Sequence, residues 1–239
     1  MSTQNFDHAS CKILVTGTSG TGKTTLAQKL LKSEKAFVKF IYDHQGEFSQ
    51  RFKVPAIRDA DELVEKTARG GYVCFDPIDS FPGKAATGFD FFCEFIFNVS
   101  QNLNGRKILF CDEIQKLTDT ANEPEAFLTL CETGRRFQVD IIAITQAPNR
   151  IHNTVRNQLT QVYTFRQSDK NALKYLEDNG FDPEKVRSLS AEKHEWLGRN
   201  LDTGEVTASS PALLSDTPRT ASAGDPGQRR DVESDSGKA

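Results

Sequence analysis

The sequence predicts an α/β fold in which a mostly parallel central sheet is flanked by helices. Short runs rich in β-branched and aromatic residues alternate with segments of helical periodicity, which is typical of βαβ units. A glycine-rich turn separates the first such run from the first helical segment, as expected where a strand leads into a helix. Two later runs end in polar residues, which indicates a site at the carboxyl edge of a parallel sheet.

The strands are predicted where β-rich runs are bounded by turn residues. They are Lys12–Thr16, Phe37–Tyr42, Gly71–Phe75, Lys107–Cys111, Val139–Thr145 and Gln161–Arg166. The helices between them are predicted at Lys23–Ser33, Asp59–Ala68, Gly88–Asn102, Pro124–Arg136, Ile151–Gln158 and Asp169–Asn179. Near the C-terminus, residues 194–199 and 205–208 flank Asn200-Leu201-Asp202-Thr203-Gly204, which predicts a β-hairpin.

The length of 239 residues is accounted for by one α/β domain at residues 10–207, with an N-terminal extension at residues 1–9. From residue 208 to residue 239 the composition shifts to Ser, Ala, Gly, Pro and Thr, and no aromatic residue occurs. Such a segment buries too little apolar area to offset its ordering entropy, so we predict a disordered tail.

The charge balance excludes one class of protein. Thirty Lys and Arg face 33 Asp and Glu, so the net charge of −3 excludes coating of nucleic acid by an overall positive field, although a local basic patch remains compatible. Apolar runs are far too short to span a bilayer, and no export signal is visible, so we expect a cytoplasmic protein. The cysteines lack metal-site spacing, and we interpret them as small buried hydrophobes: Cys11, Cys74, Cys93, Cys111 and Cys131.

The helix predicted after Gly88 is unusually rich in phenylalanine. Phe89 and Phe92 belong to a 3-4 spacing that indicates one buried face. Phe91 and Phe95 widen this stripe, so two interpretations stand: a core helix, or a helix that also contacts another subunit.

A phosphate-binding loop is the clearest motif. Residues 17–24 read G-x-x-x-x-G-K-T between a predicted strand and a predicted helix. In this motif the backbone N–H groups face phosphate oxygens, Lys23 reaches the β- and γ-phosphates, and the Thr24 hydroxyl is a ligand of Mg²⁺. The residues predicted to bind the nucleotide are Gly17, Thr18, Ser19, Gly20, Thr21, Gly22, Lys23, Thr24 and Thr25.

Two adjacent acids, Asp112 and Glu113, follow the strand Lys107–Cys111. Asp112 is predicted to hold Mg²⁺ with Thr24, and Glu113 to activate the attacking water, which favours ATP hydrolysis over transfer to a small acceptor. The alternative is that the two acids only cap the following turn or helix. Gln146, at the end of the strand Val139–Thr145, is predicted to sense the γ-phosphate, although a strand-end glutamine also suits a plain turn.

With these motifs in order, the chain resembles the HerA/FtsK superfamily of P-loop ATPases over residues 11–170. Besides the phosphate loop and Asp112-Glu113, the resemblance rests on Asp43-His44-Gln45-Gly46-Glu47-Phe48 and on Gly134-Arg135 before the strand that ends in Thr145-Gln146. Asp43 and Glu47 are equally compatible with turn and helix-cap residues.

The resemblance implies a RecA-like sheet, with the strand that bears Gln146 lying between the strands of the phosphate loop and of Asp112. It also implies a homohexameric ring in which Arg135, or the adjacent Arg136, completes the site of a neighbouring subunit. A helix C-terminal arginine that interacts with the macrodipole is the competing interpretation.

Within that superfamily the chain is similar to the genome-packaging ATPases of tailless, internal-membrane dsDNA viruses and phages. This similarity implies ATP and Mg²⁺ as cofactors, double-stranded DNA and a capsid or membrane vertex protein as partners, and the host cytoplasm or the virion as location. A Zot-like assembly ATPase acting as a nucleotide switch and a small P-loop kinase are the alternatives. Residues 79–88, with Phe81 and Lys84, are either a DNA-facing pore loop or an ordinary surface loop.

Overall fold

The structure is a computed structural model that describes residues 11–118 and 124–214. The predicted extension at residues 1–9 and the part of the predicted tail from residue 215 onward lie outside the described residues.

Nine strands of the described chain form one sheet in the order β3-β4-β2-β5-β6-β1-β7-β8-β9. Their bounds are Lys12–Thr16 (β1), Val38–Tyr42 (β2), Ala56–Ile57 (β3), Gly71–Phe75 (β4), Lys107–Cys111 (β5), Val139–Thr145 (β6), Gln161–Phe165 (β7), Trp196–Asn200 (β8) and Val206–Ala208 (β9). Strands β1 to β7 are parallel, and β8 and β9 are antiparallel additions at one edge. The predicted α/β class is therefore confirmed, and β6 lies between β1 and β5 as the resemblance implied.

Helices cover both faces of the sheet. They are Lys23–Ser33 (α1), Phe48–Phe52 (α2), Ala60–Arg69 (α3), Ala85–Ser100 (α4), Ile114–Leu117 (α5), Glu125–Thr133 (α6), Asn153–Asn157 (α7), Lys170–Asp178 (α8) and Pro183–Ser188 (α9). The sequence did not predict β3, α2, α5 or α9. The predicted helix 124–136 ends earlier, because the chain passes into a 3-10 turn at Gly134–Phe137 and then takes a left-handed conformation at Gln138.

The phenylalanines of α4 pack within the chain. Phe89 and Phe92 are buried, as the 3-4 spacing predicted. The ring of Phe91 lies 5.9 Å from that of Phe75, and the ring of Phe95 lies 6.4 Å from that of Phe40. Both of these rings contact core residues of the same chain, and each stays half-buried.

The predicted hairpin is formed by β8 and β9, and it extends the central sheet. Strand β8 pairs with β7, and the Trp196 ring packs edge-on against Tyr163 at 5.4 Å. Residues 208–214, which the composition assigns to the tail, include the end of β9 and a 3-10 turn at Pro211–Leu213. Leu213 packs against the core, so the defined structure continues past the predicted domain boundary through residue 214.

Lys107 carries a buried ammonium at the amino end of β5. Its side chain is 1% exposed, and its Nζ donates a hydrogen bond to the Leu103 carbonyl at 2.8 Å. Burial lowers the pKa of Lys107 to about 8, because the charged form loses hydration.

Replacing Lys107 with Met is expected to raise the free energy of unfolding by about 1–2 kcal/mol at pH 7, because it removes this desolvation cost. The unfolded ammonium titrates near pH 10.4, so the unfolded state binds more protons between about pH 8 and pH 10.4. Wild-type stability should therefore contain a component that rises with pH across this window.

Urea denaturation between pH 7 and pH 10 measures both effects, with exposed Lys29→Met on α1 as the control. The rising component should disappear in Lys107→Met and persist in Lys29→Met. An unchanged pH slope in Lys107→Met would contradict the assignment.

Candidate nucleotide-binding site

The chemistry-bearing residues meet at the carboxyl edge of the parallel strands. In the register of the sheet, Thr16 of β1 lies beside Thr145 of β6, and Cys111 of β5 lies beside Ala143. The phosphate loop, the acids and the polar residue that follow these strands therefore share one end of the molecule. The strand order predicted this convergence, which the register confirms.

The phosphate loop has the backbone shape that its glycines permit. Gly22 precedes α1 in the left-handed region, with φ of 102°, which side chains rarely adopt. Gly17 lies so close to β7 that a Cβ there would be 2.6 Å from the Cβ of Phe165. The Thr18 N–H donates to the Arg166 carbonyl at 3.0 Å, so the first half of the loop is fixed to the end of β7.

Lys23 lies over this loop and is 8% exposed. Its Nζ donates a hydrogen bond to the Thr18 carbonyl at 2.6 Å. Burial lowers the pKa of Lys23, and the nearby charges of Asp112 and Glu113 oppose that shift. The ammonium is thus held inside the loop, where a bound phosphate would be its strongest partner.

The two predicted magnesium ligands converge. The Thr24 Oγ1 lies 3.5 Å from the Asp112 Oδ2, while the other oxygen of Asp112 accepts the Glu113 N–H at 2.6 Å. Burial raises the pKa of Asp112, and the Lys23 charge opposes that rise. A hydroxyl and a carboxylate that face one space fit Mg²⁺, which binds proteins through one or two such oxygens and keeps several waters.

Glu113 is held in an uncommon conformation beside this pair. Its φ is 51°, in the left-handed region, and it precedes α5 without any side-chain capping bond. Its Oε2 accepts hydrogen bonds from Gln45 Nε2 and from Lys116 Nζ, both at 2.6 Å. The carboxylate therefore forms no capping hydrogen bond with the backbone of α5, although its partner Lys116 belongs to that helix.

The segment after β2 divides into a structural part and a part that faces the site. Asp43 is fully buried and accepts the backbone N–H groups of Glu47 and Ser49, both at 2.9 Å, so it is a turn and helix-start residue. Glu47 is exposed and pairs with Arg51 at 2.8 Å. The residue that reaches Glu113 is Gln45, which sequence reasoning missed because glutamine has no signature at that position.

Gln146 follows β6 with an exposed side chain, and its backbone is fixed by a residue that the sequence did not single out. The side chain of Gln167 is 1% exposed and donates to the Gln146 carbonyl at 3.2 Å and to the Thr16 Oγ1 at 3.0 Å. On the other side, the Thr145 Oγ1 bonds to Gln115 Oε1 of α5 at 2.7 Å. Two buried or half-buried amides thus connect the strand ends around the site.

Arg135 lies at the amino ends of the parallel strands, on the side of the sheet opposite to the phosphate loop. It belongs to the 3-10 turn that precedes β6, near the amino end of β1, where burial lowers the pKa of Lys12 and the charge of Arg135 adds to that lowering. The seven residues of β6 separate this end from Gln146 by about 20 Å. The structure therefore does not bring Arg135 into the site of its own chain, while Arg136 lies over the ring of Phe137 at 5.8 Å.

Most residues of the loop considered as a pore loop are exposed, and its packing is centred on Phe81 and Gly88. The Phe81 ring contacts Phe91 at 5.3 Å, and Gly88 is covered by Pro77, Tyr42 and Phe81. Lys84, which precedes α4, is exposed. Of the two residues singled out there, only the lysine faces solvent.

The fold and this site define a P-loop NTPase: a parallel sheet presents a glycine loop, a buried lysine, a threonine–aspartate pair and a neighbouring glutamate at one edge. Among the described residues, no helix has the length and apolarity that crossing a membrane requires.

Comparisons with known proteins agree with this class. Residues 13–167 match the AAA family, the ATPase family associated with various cellular activities, and the chain belongs to that family and is an ATPase. Protein P9 of Pseudoalteromonas phage PM2 is 21% identical over 175 residues, which cover 70% of this chain and 73% of that protein.

Two solved structures share the fold. One is the genome packaging NTPase B204 from Sulfolobus turreted icosahedral virus 2 in complex with AMPPCP, with a TM-score of 0.63, 18% identity and coverage of 87% of this chain and 100% of that chain. The other is B204, the DNA-packaging ATPase from Sulfolobus turreted icosahedral virus, with a TM-score of 0.61, 19% identity and coverage of 84% and 97%. At these identities the likeness shows the fold alone.

Proposed function

We propose that this ATPase is a motor that pumps double-stranded DNA, a viral genome, into a capsid. The observation that carries the proposal is that the residues predicted to act in hydrolysis lie at the two opposite ends of the parallel strands. The loop, Asp112 and Glu113 lie at one end, and Arg135 lies at the other. A head-to-tail ring of identical subunits would join these ends, and the two B204 structures, which share this fold, are described as packaging enzymes.

In this proposal ATP binds to residues 17–25, with Lys23 on the β- and γ-phosphates. Mg²⁺, when bound, neutralises phosphate charge, and Thr24 and Asp112 would hold it. Glu113 takes a proton from the attacking water once its carboxylate leaves Gln45 and Lys116. Gln146 senses the γ-phosphate, and its loop changes position when phosphate departs.

The ring accounts for DNA binding by a protein of net charge −3. We infer a HerA/FtsK-type hexamer in which a few exposed cations per subunit, such as Lys84, are repeated around a pore and contact DNA phosphates. A capsid or membrane vertex protein would anchor the ring, in the host cytoplasm during assembly or in the virion.

DNA-stimulated ATP turnover tests the motor. Addition of double-stranded DNA at low salt should raise kcat severalfold, and the stimulation should fade as salt rises, because phosphate contacts are salt-sensitive. Lys23→Ala, which lacks the phosphate-binding ammonium, provides the baseline. Turnover that DNA does not stimulate at any salt concentration contradicts the motor, and in that case co-purification with an envelope protein would favour an assembly switch.

A further inference from the structure

A tight turn before β8 brings a histidine to the outer side of the phosphate loop. The turn is closed by the Ser190 N–H on the Glu195 carboxylate at 2.8 Å and by the Glu195 N–H on the Ser190 carbonyl at 3.0 Å. His194 lies within it with φ of 51°, one of four non-glycine residues in the left-handed region among those that the structure describes. That conformation is unfavourable for a residue with a Cβ, and it persists where surrounding contacts hold it.

The imidazole contacts two successive residues of the loop. Its Nδ1 lies 3.1 Å from the Thr21 carbonyl oxygen, and because that oxygen can only accept, the Nδ1 carries the proton. The side chain also packs on Gly22: a Cβ at Gly22 would lie 3.1 Å from the Nδ1, 3.2 Å from the Cγ and 3.3 Å from the Cβ of His194. The histidine therefore covers the loop at the two residues immediately before Lys23.

We propose that His194 is a positioning residue that holds the second half of the phosphate loop in the shape that binds nucleotide. In such a loop the N–H groups face the phosphates, so the carbonyls turn outward and need other partners. In the first half, the Thr18 carbonyl accepts the Lys23 ammonium at 2.6 Å and the Thr21 hydroxyl at 2.8 Å. The Thr18 N–H donates to the carbonyl of Arg166, the residue after β7. His194 supplies the partner for Thr21, and the C-terminal hairpin thereby contributes to ATP affinity.

The pairing of β8 with β7 places the turn that carries His194 beside the phosphate loop. Trp196, two residues after His194, is paired with Phe165, and Phe165 packs against Gly17. The turn is thus anchored to the same strand that fixes the first half of the loop. Strand β7 and the turn hold the loop from two sides, before and after Gly20, and neither contact uses a group that faces the phosphates.

The proposal rests on the assignment of residues 17–25 as the nucleotide site and not on DNA, so the test omits DNA. His194→Ala should raise the KM for ATP and the Kd of a fluorescent ATP analogue about 5- to 20-fold, with kcat within twofold. His194→Asn should recover most of the affinity, because asparagine tolerates the left-handed region and its amide can donate to Thr21. Lys193→Ala, at the exposed neighbouring residue, is the matched control and should bind like the wild type.

His194→Gly separates loss of the ring from backbone strain, since glycine adopts the turn freely. It should bind ATP as weakly as His194→Ala; wild-type affinity in His194→Gly overturns the proposal, as does a fall in kcat with KM unchanged. Lys23→Ala distinguishes failure of the nucleotide-site assignment from failure of the role proposed for His194. If Lys23→Ala binds nucleotide like the wild type, the phosphate site is misassigned, whereas loss of affinity in Lys23→Ala beside normal affinity in His194→Ala overturns the role of His194 alone.

Discussion

Glu113→Gln is expected to lower kcat for ATP hydrolysis by about 10²- to 10⁴-fold while the KM for ATP stays within about twofold. The glutamine amide keeps the shape of the side chain but cannot take a proton from water. The phosphate loop and the Thr24–Asp112 pair do not depend on this carboxylate for their contacts with phosphate and Mg²⁺. Steady-state phosphate release and titration with a fluorescent ATP analogue measure the two parameters separately.

Glu47→Gln is the matched control, because Glu47 lies on the same segment as Gln45 but is exposed and paired with Arg51. Its kcat should stay within about twofold of the wild type. A large loss of kcat in Glu47→Gln together with near-normal turnover in Glu113→Gln would move the role of the base to Glu47. Equal, small effects in both variants would contradict a carboxylate base at this edge.

The parts of the site that the sequence predicted are those whose geometry is local. In the phosphate loop, Gly17 to Thr24 are contiguous, and their spacing alone determines which groups face the phosphates. Asp112 and Glu113 follow a strand that reads as buried, and the order of strands in a parallel sheet then places them beside the loop. Local spacing was therefore sufficient for the loop, whereas the placement of Asp112 and Glu113 beside it relied on the strand order that the resemblance implied.

The amides that connect the site were not predictable in this way. The contact of Gln45 with Glu113 joins residues 68 positions apart, and that of Gln167 with Thr16 joins residues 151 positions apart. Glutamine at the end of a strand is chemically unremarkable in a sequence. Only the fold shows that one of these side chains is buried and the other bonds to a carboxylate at the site.

The missed secondary structure has a related cause. Strand β3 has two residues and exists because it pairs with Cys74 and Phe75 of β4, and α5 has four residues and follows the left-handed Glu113. Elements this short carry too little periodicity to be recognised, and tertiary contacts stabilise them. Asp43 shows the opposite case: its residue type was noticed, but its complete burial and two backbone partners were needed to identify a turn residue.

Arg135→Ala is expected to reduce kcat for ATP hydrolysis by about 10³-fold or more, with ATP affinity nearly unchanged. A cation inserted from a neighbouring subunit stabilises charge that develops on the transferring phosphoryl group. The Arg135 guanidinium is exposed, and about 20 Å of β6 lies between it and the site of its own chain. Arg136→Ala, whose guanidinium lies over Phe137, is the matched control and should retain turnover within about threefold.

Mixing two inactive variants separates a contribution from the neighbour from one within the chain. Lys23→Ala lacks the phosphate ammonium but keeps Arg135, and Arg135→Ala has the reverse defect. In a head-to-tail ring assembled from equal amounts, about one interface in four pairs an intact loop with an intact arginine, so about a quarter of wild-type turnover should return. If Arg135 acted within its own chain, or only stabilised the end of α6, no interface would combine both intact groups and the mixture would stay inactive. Because the variants must exchange subunits for activity to appear, recovery that rises with incubation time would also show that the active species is an oligomer.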